Sequence, residues 1–451
     1  MSSFRRDPVP KYLERYAEPE AMLGSRLSRL THHIVVIPAH DESATFLEGI
    51  LPSVSSAAAD NERVLCIVVV NATDGHDSKL YTRNQALVDA LRSYTDADAI
   101  RDGVGDTPCW YGTGLGFDLV IIDRSSAGHR LPRHEGVGLA RKIGGDFALA
   151  AIHAGVSQAR LIHMTDCDVC LPADYFKVPV RPSTAALIYR FMHEPSGEPV
   201  IDEAHARYEA YLRYYILGLR HAESPYAFHA IGSCIATGVT AYAGVRGVPK
   251  RQAGEDFYLL NKLAKVGRIE TATGSPIRIR ARHSLRVPFG TGRSTHDIAK
   301  DVDAYRIYDP AIFDLLKAWI GAFPSIEGVG PHRAYDCVCA QAAVDLDTSE
   351  QDRLKRALAA IGAPKALSEA AAQSTSFAVR KKWLDDWFDA FRTLKFVHAL
   401  RDEGYVDVGW RPAIVGASFC NGSTRDGTSE NIMNAGSFAL CRRLERLETE
   451  T

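Results

Sequence analysis

No stretch of this chain is apolar for long enough to cross a bilayer. The longest runs, such as Cys66 to Val70 and Leu119 to Ile122, are strand-sized, against the roughly 20 residues a spanning helix needs. An integral membrane protein is not expected, and peripheral contact with a membrane is left open. The opening MSSFRRDPVPKYLERYAEPE is too polar for a secretory signal, so the expected location is cytoplasmic. Cysteine is sparse and unpatterned: nine residues, an odd number with no regular spacing. That excludes a disulfide framework and suits a reducing compartment. Cys167 and Cys170 do form a C-x-x-C. A redox pair, however, needs a thiolate at a helix start behind a thioredoxin-type strand, and the flanking acids and Pro172 do not fit. A zinc site needs a second pair, and Cys337 and Cys339 are spaced too closely. Net charge is also small, at -2, so a strongly basic nucleic-acid surface is not indicated and no nucleic-acid partner is expected. Phosphate-binding loops are missing as well. No Walker motif is present, and the Gly136-Val137-Gly138 pair is followed by Arg141 where a dinucleotide fingerprint has its third glycine.

What is present is an ordinary globular composition, 46% hydrophobic and 24% charged over 451 residues, a length that suits two or three domains. Residues 1–30 read as a polar, partly helical arm. Strand and helix patterns then alternate. Strands are expected at His33 to Ile37 (ended by Pro38), Val64 to Val70, Asp118 to Ile122 and Leu161 to Met164. Helices are expected at about Ser43 to Ala58, Leu80 to Tyr94 and Glu135 to Ala154. Continuous apolar runs joined by helices predict an α/β fold with a mostly parallel sheet covered on both faces. In such sheets ligands sit at the carboxyl ends of the strands. Further on, Ala185 to Phe191 and Arg278 to Arg282 read as strands, and Asp202 to His221 and Glu255 to Val266 as helices. From about residue 297 strand signals nearly vanish and helical periodicity dominates. The expected domains are therefore an arm at 1–30, an α/β domain at 31–296 and a mainly helical domain at 297–451. Residues 95–117, rich in glycine, and the tail after about 415 are expected to be mobile.

Three segments carry chemistry. Strand Ile162-His163-Met164-Thr165 runs into Asp166-Cys167-Asp168. Two carboxylates two residues apart at a strand end can reach one hard divalent cation, Mg²⁺ or Mn²⁺, which shares its oxygen ligands with phosphates; an acidic surface turn is the plainer alternative. Next, Glu255 and Asp256 open an apolar helix. Acids there offset the helix macrodipole and cap free N–H groups, which suits Glu255; for Asp256 a general base is the competing role. Finally, Ile34 to Ile37 runs into Pro38-Ala39-His40-Asp41-Glu42, a strand and polar turn of the kind that cradles nucleotides.

HHIVVIPAHDE, VVVNATDG, GVGLARKIGGDFAL, MTDCDVCLPADYF and AGEDFYLLNKLAKVG, in this order over roughly residues 32–292, resemble the ordered signature of family 2 glycosyltransferases with the GT-A fold. The resemblance implies a GT-A-type, mostly parallel sheet flanked by helices. It also implies a nucleotide-diphosphate sugar as donor, bound at Pro38, Ala39, His40 and Glu42, although His40-Asp41-Glu42 replaces the usual Tyr-Asn-Glu. Asn71 or Asp74 would meet the base, where the family usually has Asp-Asp. Arg141, in a Gly-x-Gly-x-Ala-Arg helix start, would bind the diphosphate with its planar fork; a solvated helix cation is the alternative. Asp168 would ligate the metal and Asp166 the ribose or a metal-bound water. His283 is the candidate third metal ligand, and Asp256, beside Glu255, the catalytic base of an inverting transfer. Independently of the resemblance, Arg286 and the Phe289-Gly290-Thr291-Gly292 turn read as able to close over a diphosphate, since the backbone N–H groups of such a turn suit an anion.

The expected function is thus a metal-dependent glycosyltransferase, of hexosyltransferase class, moving a sugar to an unidentified acceptor hydroxyl. Two alternatives stand beside it. One is a sugar-1-phosphate nucleotidyltransferase, which normally carries a Gly-rich loop with Arg and Lys after the first strand. The other is a non-catalytic sugar-nucleotide-binding protein. Trp383, Trp387, Phe388, Phe391 and Phe396 lie at helical spacing and read as core rather than a sugar platform. Tyr208, Tyr211, Tyr214 and Tyr215 read as core or an acceptor groove. Sugar, base, acceptor and oligomeric state have no sequence signal.

Overall fold

The computed structural model describes residues 7–95, 98–100, 106–114, 116–282, 290–373, 376–421 and 435–450. The chain is α/β and forms two compact units. The first comprises residues 1–196 and 230–293; the second comprises 197–229 and 294–451. The break therefore does not fall at residue 296 alone, because the helix around residue 210 belongs with the second unit.

The first unit is built on a nine-stranded sheet. In chain order its elements, with those of a small second sheet, are β1 (His33–Ala39), β2 (Val64–Asn71), β3 (Asp98–Ala99), β4 (Cys109–Gly114), β5 (Phe117–Arg124), β6 (Leu161–Met164), β7 (Val169–Cys170), β8 (Thr184–Ile188), β9 (Phe191–Glu194), β10 (Ile235–Gly238), β11 (Arg268–Thr271) and β12 (Ile277–Arg280). The large sheet runs β11-β8-β10-β6-β1-β2-β5-β4-β3, and β7-β12-β9 form the small one. Strands β6, β1, β2 and β5 are parallel. The flanks are not: β10 runs antiparallel to both β6 and β8, and β4 runs antiparallel to β5 and β3. The sheet is accordingly mixed, where the apolar runs predicted a mostly parallel one. Of these flanking strands, β4 has a glycine-rich sequence without the apolar run that marks a doubly covered strand, whereas β8 and β10 are buried throughout and run antiparallel to each other all the same. Part of the 95–117 stretch, expected to be mobile, is thus an ordered sheet edge.

The parallel centre follows the apolar pattern closely. Every residue of β2 is buried, as is every residue of β1 after His33. Strand β1 continues through Pro38 to Ala39. Its missing N–H is tolerated because the Val36 carbonyl, two residues earlier on the same edge, accepts from Thr165, where the β6 ladder has ended. One helix, α5 (Gly136–His153), packs its whole length into this sheet, and residues Gly138 to Ala151 are all buried. Gly144 permits the close approach, since a Cβ there would sit 2.3 Å from Val36 Cγ1.

The N-terminal segment is part of this unit's core. Tyr12, on the helix Val9–Arg15, is 1% exposed. Its hydroxyl donates to Asp146 at 2.5 Å and accepts from Lys142 at 2.7 Å, both on α5. Tyr242 also donates to Asp146, at 2.8 Å.

In the second unit, the helix Pro199–His221 packs against later helices around Tyr214, Phe313, Leu316, Trp319, Phe388 and Phe396. Phe388 and Phe396 are core, while Trp383 and Trp387 pack partly buried against it. Tyr214 is fully buried, and Tyr211 and Tyr215 border the core. Residues 437–450, within the tail expected to be mobile, form the helix Ser437–Glu450, which buries Leu440, Cys441, Leu444 and Leu447. No helix among the described residues is long and apolar enough to cross a membrane.

Candidate active site

Strands β2 and β5 lie to one side of β1, and β6 to the other. The chain therefore leaves β1 in one direction and later returns on the opposite side. In an open α/β sheet, the carboxyl ends on either side of such a switch point form a crevice. Glu42 follows β1 there, and Asp166 and Asp168 follow β6.

Two arginines tie these carboxylates together. Arg282, just beyond β12, donates through Nη1 and Nη2 to Glu42 at 3.2 and 2.8 Å. The same Nη2 lies 2.8 Å from Asp168 Oδ2. Strand β12 places it there by hydrogen-bonding to β7, which directly follows the acidic turn, and by the Arg280 N–H donating to the Asp168 carbonyl at 2.8 Å. Arg141, on α5, donates through Nε to Glu255 at 2.9 Å, through Nη2 to Asp166 at 2.6 Å and through Nη1 to the Thr165 carbonyl at 3.3 Å. The chain Glu42–Arg282–Asp168 and the chain Asp166–Arg141–Glu255 thus meet at Asp166-Cys167-Asp168, and Asp256 lies next to Glu255.

The two guanidinium groups differ in how they are held. Arg141 is 3% exposed. It is confined by Gly232, where a Cβ would come within 2.6 Å of Nη2. Burial works against its charge, but Asp166, Glu255 and Asp256 outweigh that and hold it more basic than usual. All three of its nitrogens are engaged inside the protein, so Arg141 supports the acidic turn and the start of α8 (Glu255–Leu263). That position is neither a free diphosphate fork nor a solvated cation. The Arg282 side chain, by contrast, is one-third exposed, and its Nε has no hydrogen-bond partner among the described residues.

The carboxyl groups respond to this crowding. Burial pushes Asp256 up to about 7, and the neighbouring Glu255 adds to it. Its Oδ1 accepts the Phe257 N–H at 2.7 Å, so it also serves the helix start. Burial likewise raises Asp168; Arg282 pulls it back down, and Asp166 and Glu42 push it up. Burial holds the Cys167 thiol protonated, helped by Glu42, Asp166 and Asp168. It donates to the Pro38 carbonyl at 3.7 Å. All nine cysteines are free, and Cys167 is buried beneath the acidic turn.

The end of β1 is braced from β2 and the helix α4 (Ser78–Thr95). His40 Nδ1 donates to the Asn71 carbonyl at 2.8 Å. Asn71 is buried, and its amide nitrogen donates to the carbonyls of Ala39 and Val69, both at 3.1 Å. Asp41 takes a left-handed conformation, φ 58°. Its N–H donates to Asn84 Oδ1 at 2.9 Å, and Arg83 grips its carboxylate with two nitrogens. Asp74 is exposed and paired with Arg130 at 2.8 Å.

Pro38, Ala39, His40, Glu42, Asn71, Arg141, Asp166, Asp168, Glu255 and Asp256 therefore gather around the ends of β1 and β6, whereas Asp74 sits apart at the surface. His283, Arg286 and Phe289 lie outside the described residues; Thr291 opens the helix Thr291–Lys300. Among the described residues no group of three or more His, Cys, Asp or Glu side chains is arranged to hold a metal ion. Sequence reasoning assigned no role to Arg282 or Asn84. Arg282 carried a faint signal as the last of three arginines alternating along Ile277-Arg278-Ile279-Arg280-Ala281-Arg282. Asn84 is wholly buried and its Nδ2 bonds Asn71 O and Ser125 Oγ; an asparagine in an amphipathic helix carried none. No protein-family model matches this sequence, and no curated protein matches it.

Proposed function

We propose that the chain is a metal-dependent, inverting glycosyltransferase of GT-A type, acting in the cytoplasm on a nucleotide-diphosphate sugar. One observation carries the reading: Glu42, Asp166, Asp168, Glu255 and Asp256, from three separate segments, converge at the switch point of the sheet. The ordered motifs predict this convergence, and an acidic surface turn does not require it. Nine free cysteines suit a reducing compartment.

Glu42 and Asp168 are the carboxylates proposed to hold a divalent cation. Two oxygens that each touch Arg282 Nη2 at 2.8 Å, one from Glu42 and one from Asp168, lie no more than twice that distance apart, 5.6 Å. Two oxygens on one Mg²⁺ lie at most about 4.2 Å apart, at about 2.1 Å each. The pair is within side-chain adjustment of one cation. Asp168 would hold it, with Asp166 beside it. Its contribution when bound is to offset the charge of the leaving nucleoside diphosphate.

The protein's own groups do the rest. Asp256 accepts the proton of the acceptor hydroxyl. The acceptor oxygen bonds to the anomeric carbon as the bond from that carbon to the donor phosphate oxygen breaks, and configuration inverts. A carboxyl poised at about 7 suits proton transfer at neutral pH. Arg141 keeps Glu255 and Asp166 in place around the reacting groups. His40, braced on Asn71, offers its ring at the nucleoside end.

The test is calorimetric titration of the whole chain with UDP, GDP, ADP and CDP in the presence of Mn²⁺, followed by turnover of the matching sugar donors. Binding of one base in preference to the others is expected. Absence of binding to every nucleoside diphosphate would sink the proposal. Binding without turnover would favour a sugar-nucleotide sensor.

A further inference from the structure

We propose that the second unit carries a binding site for neutral saccharides, formed by a row of tyrosines on the helix Pro199–His221 and closed by Tyr305, Tyr308 and Asp407. This goes beyond the transfer reaction proposed for the first unit and does not depend on it.

The row comes from spacing on one helix. Tyr208, Tyr211 and Tyr215 lie three and four residues apart and share a face. They cover about 10.5 Å of helix axis, the reach of a disaccharide. All three are half-buried, while Tyr214 beside them is enclosed and its hydroxyl donates to the Tyr308 carbonyl at 2.9 Å. Ring centre to ring centre, Tyr208 and Tyr215 stand 6.2 and 6.3 Å from Tyr211, and Tyr308 stands 6.0 Å from both Tyr211 and Tyr215. Rings at such spacings touch each other, so no cation fits between them as it would in an aromatic cage. What remains on offer is a rim of ring surface and hydroxyls.

The short antiparallel pair Arg306–Ile307 and Val408–Gly409 brings in the other groups. Its register, carried one residue further, sets Asp407 against Tyr308. In the opposite direction the Trp410 N–H donates to the Tyr305 carbonyl at 3.4 Å. Tyr305 is half-buried, and the Tyr308 hydroxyl is hydrogen-bonded to His398 Nε2 at 2.9 Å. One atom here points to a ligand. Asp407 Oδ1 is buried and has no hydrogen-bond partner among the described residues. A carboxylate oxygen in that state has lost its water with nothing in exchange. Burial keeps the Tyr305 and Tyr308 hydroxyls protonated, and Asp407 adds to this at both, so they are neutral partners beside an acidic one. A pyranose matches this set. Its C–H face is apolar and packs on the rings, and its hydroxyls reach the phenols and donate to Asp407. The same carboxylate repels a uronic acid or a phosphorylated sugar, which makes the site one for neutral saccharides.

Two measurements test this, both on the full-length chain without nucleotide. Hydroxyl-radical footprinting of the wild type is read by peptide mass spectrometry with and without maltose, cellobiose or lactose. At least one of these should protect Tyr211, Tyr215 and Tyr305 severalfold. Tyr94 of the first unit, 39% exposed, should stay unchanged, and glucuronate should protect none of them. The dissociation constant of the protecting disaccharide is then measured by saturation-transfer NMR. Asp407→Ala should weaken it at least about tenfold, as expected for losing a hydrogen bond to a charged group. The melting midpoint should not fall, because Oδ1 holds nothing within the protein. The proposal is overturned if no disaccharide protects the tyrosines, if glucuronate protects them equally, or if choline protects them and the disaccharides do not. It is equally overturned if Asp407→Ala binds as tightly as wild type, or if it melts lower and so proves structural. Footprinting needs no variant, so poor folding of Asp407→Ala leaves a decision in hand. Failure of the glycosyltransferase reading would appear as absent nucleoside diphosphate binding, with these results unaffected.

Discussion

Arg141→Met separates a supporting arginine from a ligand-binding one. In the structure Arg141 neutralises Glu255, whose side chain is 6% exposed, and Asp166, whose side chain is 34% exposed. Removing one partner of a buried pair leaves an uncompensated charge, at about 3–5 kcal/mol. Glu255 accounts for nearly all of it, because Asp166 is open enough for water to screen it. Methionine fills much of the volume, so little cavity cost is added. In a unit of this size one kcal/mol moves a melting midpoint by roughly 2–4 °C, so the transition of the first unit should fall by about 6–20 °C. The assay is thermal unfolding followed by circular dichroism at pH 7 without ligands. Glu255→Gln combined with Arg141→Met should recover at least half of the shift, because the buried charge is then gone. A single variant that melts within about 3 °C of wild type would refute the reasoning, and so would a double variant no more stable than the single one. If Arg141→Met melted normally but lost nucleoside diphosphate affinity, Arg141 would be a diphosphate ligand after all.

Asp256→Asn should lower turnover by roughly 10²–10⁴-fold with little change in nucleotide affinity, and the rise of activity with pH through about 7 should disappear from the pH–rate profile. The same group predicts a stability trend. Its folded pKa lies above the unfolded value of about 3.9, so between about 4 and 7 the folded state binds more protons and stability falls as pH rises. Asp256→Asn should flatten that slope in melts across this window. Gly138→Ala should destabilise by about 1–3 kcal/mol, since its Cβ would stand 2.4 Å from the Pro249 carbonyl oxygen and 2.6 Å from the Arg251 nitrogen, both backbone atoms. Gly321→Ala, with nothing within 4 Å of the new Cβ, is the matched control in the same melt. Tyr12→Phe removes the donor to Asp146 and the acceptor for Lys142, and should cost about 1–3 kcal/mol. Faster proteolysis before residue 30 should accompany it; unchanged melting and cleavage would mean that the N-terminal segment is held by packing alone.

The central strands and α5 were legible because burial on both faces leaves a one-dimensional trace, a continuous apolar run such as Val64 to Val70. The acidic turn was legible for a related reason, since a strand end placed Asp166 and Asp168 at the carboxyl edge by local chain direction alone. The antiparallel strand β4 left no such trace. The β4 segment, Cys-Trp-Tyr-Gly-Thr-Gly, became a strand because β5 offered an edge with matching hydrogen-bond groups, a condition that belongs to the partner. The roles of the two arginines were equally hidden. Arg141 meets Glu255 across 114 positions of chain, and Arg282 meets Glu42 across 240. Sequence by itself determined which groups this protein has available and which strands form its buried centre. Only the tertiary structure decided that Arg141 is enclosed while Arg282 stays partly open between two carboxylates. An ion pair is set by distance and burial in space, and spacing along the chain carries neither.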